Sequence, residues 1–149
     1  MQDRFKTFTV LIDKLKRCVR KIKNEEVSEY NLKSPHVSCL YYLYASEEPL
    51  TAKEIEEICE EDKASVSRSI EYLEENGYLV GGEKNRKRYK TPLLLTEKGR
   101  KVAEGISQKI DSVLSRSNEG LSEEELEIMY KGLSIVCNNL QRICEEYDE

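Results

Sequence analysis

The sequence predicts a mainly α-helical fold with one small β-hairpin, in which a core of short helices is flanked by long N- and C-terminal helices. Three observations predict it. Apolar residues recur in alternating steps of three and four at both ends, helix start and stop signals punctuate the middle, and two apolar runs bracket a basic heptapeptide.

The first long helix is carried by Phe5, Phe8, Ile12, Leu15, Val19 and Ile22, a heptad seam. Ser34-Pro35 then reads as an N-cap followed by proline at the first helical position. The helix it opens turns Val37, Leu40, Leu43 and Tyr44 inward and stops near Glu48-Pro49. Thr51 with Glu54 forms a capping box, and Leu50 staples against Ile55, so a brief helix covers residues 52–59. Asp62 caps a third helix over 63–76, closed by Asn76-Gly77. Two β-prone runs, Tyr78-Leu79-Val80 and Leu93-Leu94-Leu95, form the hairpin, with Gly81-Gly82 leading into its tip. Thr96-Glu97-Lys98-Gly99 opens a long helix bearing Val102, Ile106, Ile110 and Val113. The last helix has a Ser122/Glu125 capping box, a Leu121–Leu126 staple, and the seam Leu126, Met129, Leu133, Val136, Leu140, Ile143, Tyr147.

Both terminal seams are narrower than a monomer core needs, and such stripes favour another helix, often of a second subunit. Charge agrees. Residues 1–24 hold eight Lys/Arg against two Asp, and residues 119–149 hold nine Asp/Glu against two Lys/Arg. These helices are expected to lie together, within one subunit or across a dimer; the alternative is two solvated faces of opposite sign.

A chain of 149 residues with 36% charged side chains, few Gly and Pro and no Trp is expected to be one soluble domain. No stretch reaches the roughly 20 apolar residues that cross a bilayer, and the start carries no apolar signal core, so a cytoplasmic location and no membrane partner are expected. Cys18, Cys39, Cys59, Cys137 and Cys144 include no Cys-x-x-Cys pair, and His36 is the sole histidine. No metal or other cofactor is expected, and most of the thiols are expected to be buried and reduced. An enzyme is not expected either: there is no nucleophile elbow and no Gly-rich phosphate loop.

The basic heptapeptide Lys84-Asn85-Arg86-Lys87-Arg88-Tyr89-Lys90 carries five positive charges in a chain of net charge −5. An island so opposed to its surroundings suits a polyanion. A short helix, a tight turn, a longer helix and a basic hairpin is the order of a winged helix-turn-helix, with residues 52–59 as brace and 63–76 as reading helix for duplex DNA. On a helical wheel Val66, Ile70 and Leu73 face the brace, while Ala64, Arg68 and Glu71 point away, flanked by Ser65, Ser67 and Tyr72. Small residues let the backbone approach base edges, and Arg68 suits a bidentate contact to guanine. The DNA-binding candidates are therefore Ser34, Lys63, Ala64, Ser65, Ser67 and Arg68, with Arg86, Lys87 and Arg88 reaching phosphates or the minor groove from the wing. Tyr89 is expected half-buried at the strand start. Glu71 and the acids Glu54, Glu56, Glu57, Glu60 and Glu61 would repel phosphates, which keeps open a protein–protein module as the alternative function.

From Leu50 to Gly99 the chain resembles MarR-family transcriptional regulators, most specifically in Ser-Val-Ser-Arg (65–68), Leu-Glu-Glu-Asn-Gly-Tyr-Leu (73–79) and Leu-Thr-Glu-Lys-Gly (95–99). The resemblance implies a winged helix-turn-helix core, residues 31–99, flanked by long N- and C-terminal dimerisation helices, residues 1–30 and 100–149. It implies an obligate homodimer on a palindromic operator, commonly a repressor, often released by a small-molecule effector. The wing arginine would be Arg88 or Arg86. Family wings carry an Asp two residues before it, where this chain has Lys87, Arg86 or Asn85 according to register. The implied effector pocket lies between dimer helices and DNA lobe near Pro35, with His36, Tyr41, Tyr42 and Tyr44 in its neighbourhood; core aromatics and a surface histidine are the alternative. Some relatives sense oxidants through a first-helix cysteine, which makes Cys18, beside Arg17 and Arg20, a redox candidate.

Overall fold

A computed structural model describes residues 3–81 and 90–149. The elements are α1 (Arg4–Glu26), a 3₁₀ turn (Ser28–Tyr30), α2 (Ser34–Ala45), α3 (Ala52–Ile58), α4 (Lys63–Glu75), β1 (Leu79–Val80), β2 (Leu94–Leu95), α5 (Glu97–Ser117) and α6 (Glu123–Tyr147). The chain divides into two units at Ile110/Asp111. None of the described helices is long and apolar enough to cross a membrane.

In the first unit, α1 is opened by Asp3, which accepts from the Lys6 N–H at 3.0 Å. It buries no residue: Phe5 is 77% exposed and Leu15 58%, so the seam is a bare apolar stripe. Val27 and Leu32, on either side of the 3₁₀ turn, anchor the chain to the core. That core joins Val37, Leu40 and Leu43 of α2, Ala52 and Ile55 of α3, Val66, Ile70 and Leu73 of α4, Leu79, Leu93, and Ala103 and Ile106 of α5.

Ser34 is not the cap of α2. It is the first helical residue, and Lys33 occupies the cap position, its N–H donating to His36 Nδ1 at 2.9 Å. The helix ends at Ala45, short of Glu48-Pro49, because Ser46 turns to extended backbone and its hydroxyl donates to Glu48 O at 2.7 Å. Thr51 caps α3 by accepting from the Glu54 N–H at 3.2 Å. The reciprocal half of the expected box is replaced, since Glu54 Oε1 accepts from the Thr51 hydroxyl.

β1 and β2 pair antiparallel, Leu79 with Leu95 and Val80 with Leu94. The segment before α3 adds a bridge on the same hairpin, Thr51 with Pro92, and Leu93 donates its N–H to Leu50 O at 2.8 Å. Gly81 leaves β1 at φ +105°, and a Cβ there would lie 2.4 Å from Pro92 O, so no other residue fits the start of the wing. Residues 82–89, which include Gly82, Lys84, Asn85, Arg86, Lys87, Arg88 and Tyr89, lie outside the described residues.

Thr96 starts α5 by accepting from the Gly99 N–H at 3.0 Å while donating to Gly77 O at 2.6 Å. Gly99 presses directly on β1's entrance: a Cβ would stand 1.9 Å from Tyr78 O. Further along, Lys109 donates to Glu26 O at 2.8 Å and neighbours the Glu29 carboxylate at 3.5 Å, tying α5 to the end of α1.

In the second unit α6 begins with both arms of the Ser122/Glu125 box, at 2.9 and 3.1 Å. It too buries nothing; Met129, Leu133, Val136, Leu140, Ile143 and Tyr147 are exposed. The expectation of mostly buried cysteines therefore fails. Cys39 is buried and Cys59 half-buried, but Cys18, Cys137 and Cys144 are exposed, because they stand on α1 and α6, which bury no residue.

Candidate nucleic-acid interface

The site is built around α4. Asp62 caps it through Oδ1, accepting from the Ser65 N–H at 2.8 Å, while Oδ2 accepts from the Ser65 hydroxyl at 2.9 Å. These bonds to the charged carboxylate hold Asp62 below the usual aspartate range, the Ser65 N–H contributing most. Ser65 Oγ in turn accepts from Arg68 Nη2 at 3.3 Å, which inclines the guanidinium toward the helix start. Inward, Val66, Ile70 and Leu73 lie at 0–1% exposure, so rotation of α4 is fixed by the core. Outward, Lys63, Ala64 and Arg68 are exposed and Ser65 and Ser67 half-buried. Ser69, absent from the sequence reading, is buried on the inner flank.

Ser34 is set apart from this group. Its side chain is 1% exposed and its hydroxyl donates to Glu61 Oε1 at 2.8 Å, so burial and an internal partner turn it away from a DNA-facing role.

A cleft of about 420 Å³ opens between α1, the start of α2 and α4, lined by Arg20, Lys33, His36, Ser65, Arg68 and Tyr72. His36 stacks on Tyr72 with ring centroids 4.5 Å apart. Its Nδ1 accepts a backbone N–H, which requires the neutral ring. Burial, and then the Lys33 ammonium, lower its pKa and favour that state. The two tyrosines proposed beside it do not reach the cleft. Tyr41 and Tyr44 pack against the core, Tyr41 edge-on to Tyr42. Cys18 is exposed, but the neighbouring guanidiniums are engaged elsewhere, Arg17 with Asp13 at 3.0 Å and Arg20 with Glu61 at 2.9 Å.

Two of the acids read as repelling phosphate have other partners. Glu60 accepts from Lys23 Nζ, from Ser38 Oγ at 2.6 Å and from Tyr42 OH at 2.6 Å. Burial by itself would raise the Glu60 pKa, but the bonds from Lys23, Ser38 and Tyr42 outweigh it and hold the group at about 2. A carboxylate depressed from its ordinary 4.5 contributes stability that is complete above about pH 4.5 and is lost as pH falls through about 2. The difference in unfolding free energy between wild type and Glu60→Gln should therefore be constant from pH 7 to about 5 and shrink between pH 4.5 and 2. Urea melts across that range measure it. A difference that stays constant down to pH 2 would contradict the assignment.

A capped helix with polar residues on its outer tip, braced by α3 and followed by a hairpin, is the geometry of a helix-turn-helix with a wing. Residues 30–88 match the model of the MarR family. That match spans 59 of the 149 residues. It is 32% identical over 95 residues to the HTH-type transcriptional regulator YfiV of Bacillus subtilis, a match covering 62% of this chain and 59% of that protein. Likeness in fold to solved structures extends beyond that segment. NMB1585, a MarR family regulator from Neisseria meningitidis, superposes with a TM-score of 0.80 at 19% identity, covering 97% of this chain and 99% of that one. MepR of S. aureus, in its complex with DNA, superposes with a TM-score of 0.77 at 21% identity, covering 93% and 99%.

Proposed function

We propose that this chain is a cytoplasmic transcriptional regulator of the MarR family that binds duplex DNA sequence-specifically, as a homodimer on a palindromic operator, and represses. The observation that carries the reading is the outer tip of α4, where Asp62 orders Ser65 and Ser65 orders Arg68 on the exposed side of a helix whose other side is sealed into the core. Lys63, Ala64 and Ser67 complete the base- and phosphate-facing set, and Arg86, Lys87 and Arg88 of the wing extend it along the backbone. Residues 31–99 would read DNA, while residues 1–30 and 100–149 pair two copies through the bare faces of α1 and α6. The cleft beside Arg68 supports a small-molecule effector: a ligand against His36 would displace groups next to the reading helix. Cys18 supports redox control only through its exposure.

The test is fluorescence anisotropy with duplexes selected from random sequence. Wild type should prefer one duplex, with half-sites about one helical turn apart and affinity falling steeply with salt. Arg68→Ala should cost roughly 1–3 kcal/mol on that duplex and relax preference at one base pair. Equal binding to selected and random DNA at low salt would end this reading.

A further inference from the structure

The turn between α3 and α4 contains three consecutive acids, and each is spent differently. Asp62 orders the reading helix. Glu60 and Glu61 face the other way, and all four of their carboxylate oxygens accept from α1 or α2. Glu60 Oε1 takes Lys23 of α1 and Ser38 of α2, and Oε2 takes Tyr42 of α2. Glu61 Oε1 takes Ser34 of α2, and Oε2 takes Arg20 of α1 at 2.9 Å. The Glu61 side chain is 8% exposed, and Ser34 and Ser38 beneath the two carboxylates are buried. Arg20 and Lys23 stand three apart on α1, about one helical turn, on one face beside the apolar seam. The helix with the bare apolar stripe is thus strapped to the turn that launches α4.

We infer that Glu60 and Glu61 are positioning residues for DNA recognition: they lock the α3–α4 turn to α1, so that the placement of α1 sets where α4 is presented. This rests on the reading of α4 as the DNA-reading helix. The geometry suits the task, because a carboxylate with each oxygen bonded has few alternative arrangements and charge-assisted bonds are directional; Glu61 is also largely buried, whereas the Glu60 side chain is 45% exposed. It also separates two expectations of opposite sign. Were these acids only negative charge near phosphate, neutralising one would strengthen DNA binding. As positioning residues, their loss weakens specific binding.

The experiment uses the full chain and a set of duplexes whose half-sites are stepped apart by single base pairs, read by anisotropy. Glu61→Gln should weaken binding to the best-spaced duplex by roughly three- to thirtyfold and flatten the preference among spacings, with random-duplex affinity undiminished. Arg20→Gln, a change at a half-exposed side chain that leaves the core intact, should do the same. The double variant should be no worse than either single one, since both break one tie. Additive losses would mean Arg20 touches DNA by itself and would overturn the inference, as would Glu61→Gln binding as tightly as wild type with unchanged spacing preference. A wild type indifferent to duplex sequence would instead remove the DNA reading, and this inference with it.

Discussion

Gly99→Ala should destabilise the protein by about 3 kcal/mol, lowering the melting temperature by roughly 10 °C. The added methyl would lie 1.9 Å from Tyr78 O and 2.8 Å from Tyr78 C. Both atoms are backbone, so no rotamer change relieves the clash. Either α5 lifts from β1 or Tyr78 moves. Moving Tyr78 disturbs the Thr96 N–H bond to Tyr78 O and the Tyr78 N–H bond to Leu73 O that closes α4. The effect therefore reaches α4 and the β1–β2 hairpin together. Gly105→Ala, two turns along the same helix, is the control. Nothing lies within 4 Å of its Cβ position, so the substitution should stabilise by about 0.5–1 kcal/mol through helix propensity. Thermal melts of the two variants should move in opposite directions. A Gly99→Ala variant as stable as wild type would contradict the close approach.

The second large effect concerns assembly. Leu15→Glu on α1 or Leu133→Glu on α6 alters a side chain that is 58% or 36% exposed in the single chain, so the fold of each unit should survive. If those faces pair two copies, each variant buries a carboxylate against apolar neighbours, and self-association should weaken roughly thirtyfold or more. Sedimentation velocity across a concentration series reads this directly. Operator binding should fall further than self-association, because a monomer engages only one half-site. Wild-type protein sedimenting as a monomer at micromolar concentration would remove the basis of the proposed dimer.

How far residues alone reach is clearest at the helix ends. Asp62, Ser122 and the Asn76-Gly77 stop were legible because a cap acts on an N–H or C=O only a few residues away. The inward face of α4 is equally legible: Val66, Ile70 and Leu73 recur at helical spacing and are buried in the core. Errors came where tertiary partners competed with a local rule. Ser34 before proline has the form of an N-cap, but Glu61 draws its hydroxyl inward and leaves the cap position to Lys33. For Tyr41 and Tyr44 the residues leave effector neighbour and core aromatic both open; both pack against the core, while His36 stacks on Tyr72.

By itself the sequence determined the order of elements, the two apolar seams and the polar tip of α4, all of which rest on spacings of two to four residues. Only the tertiary structure decided that Glu60 and Glu61 clasp α1 and α2, across separations of 18 to 41 residues, and that Gly99 and Gly105 are opposite cases. A carboxylate's partner and the free space around a glycine are set by chain segments remote in sequence. Nothing in the residue or its neighbours encodes which segment arrives.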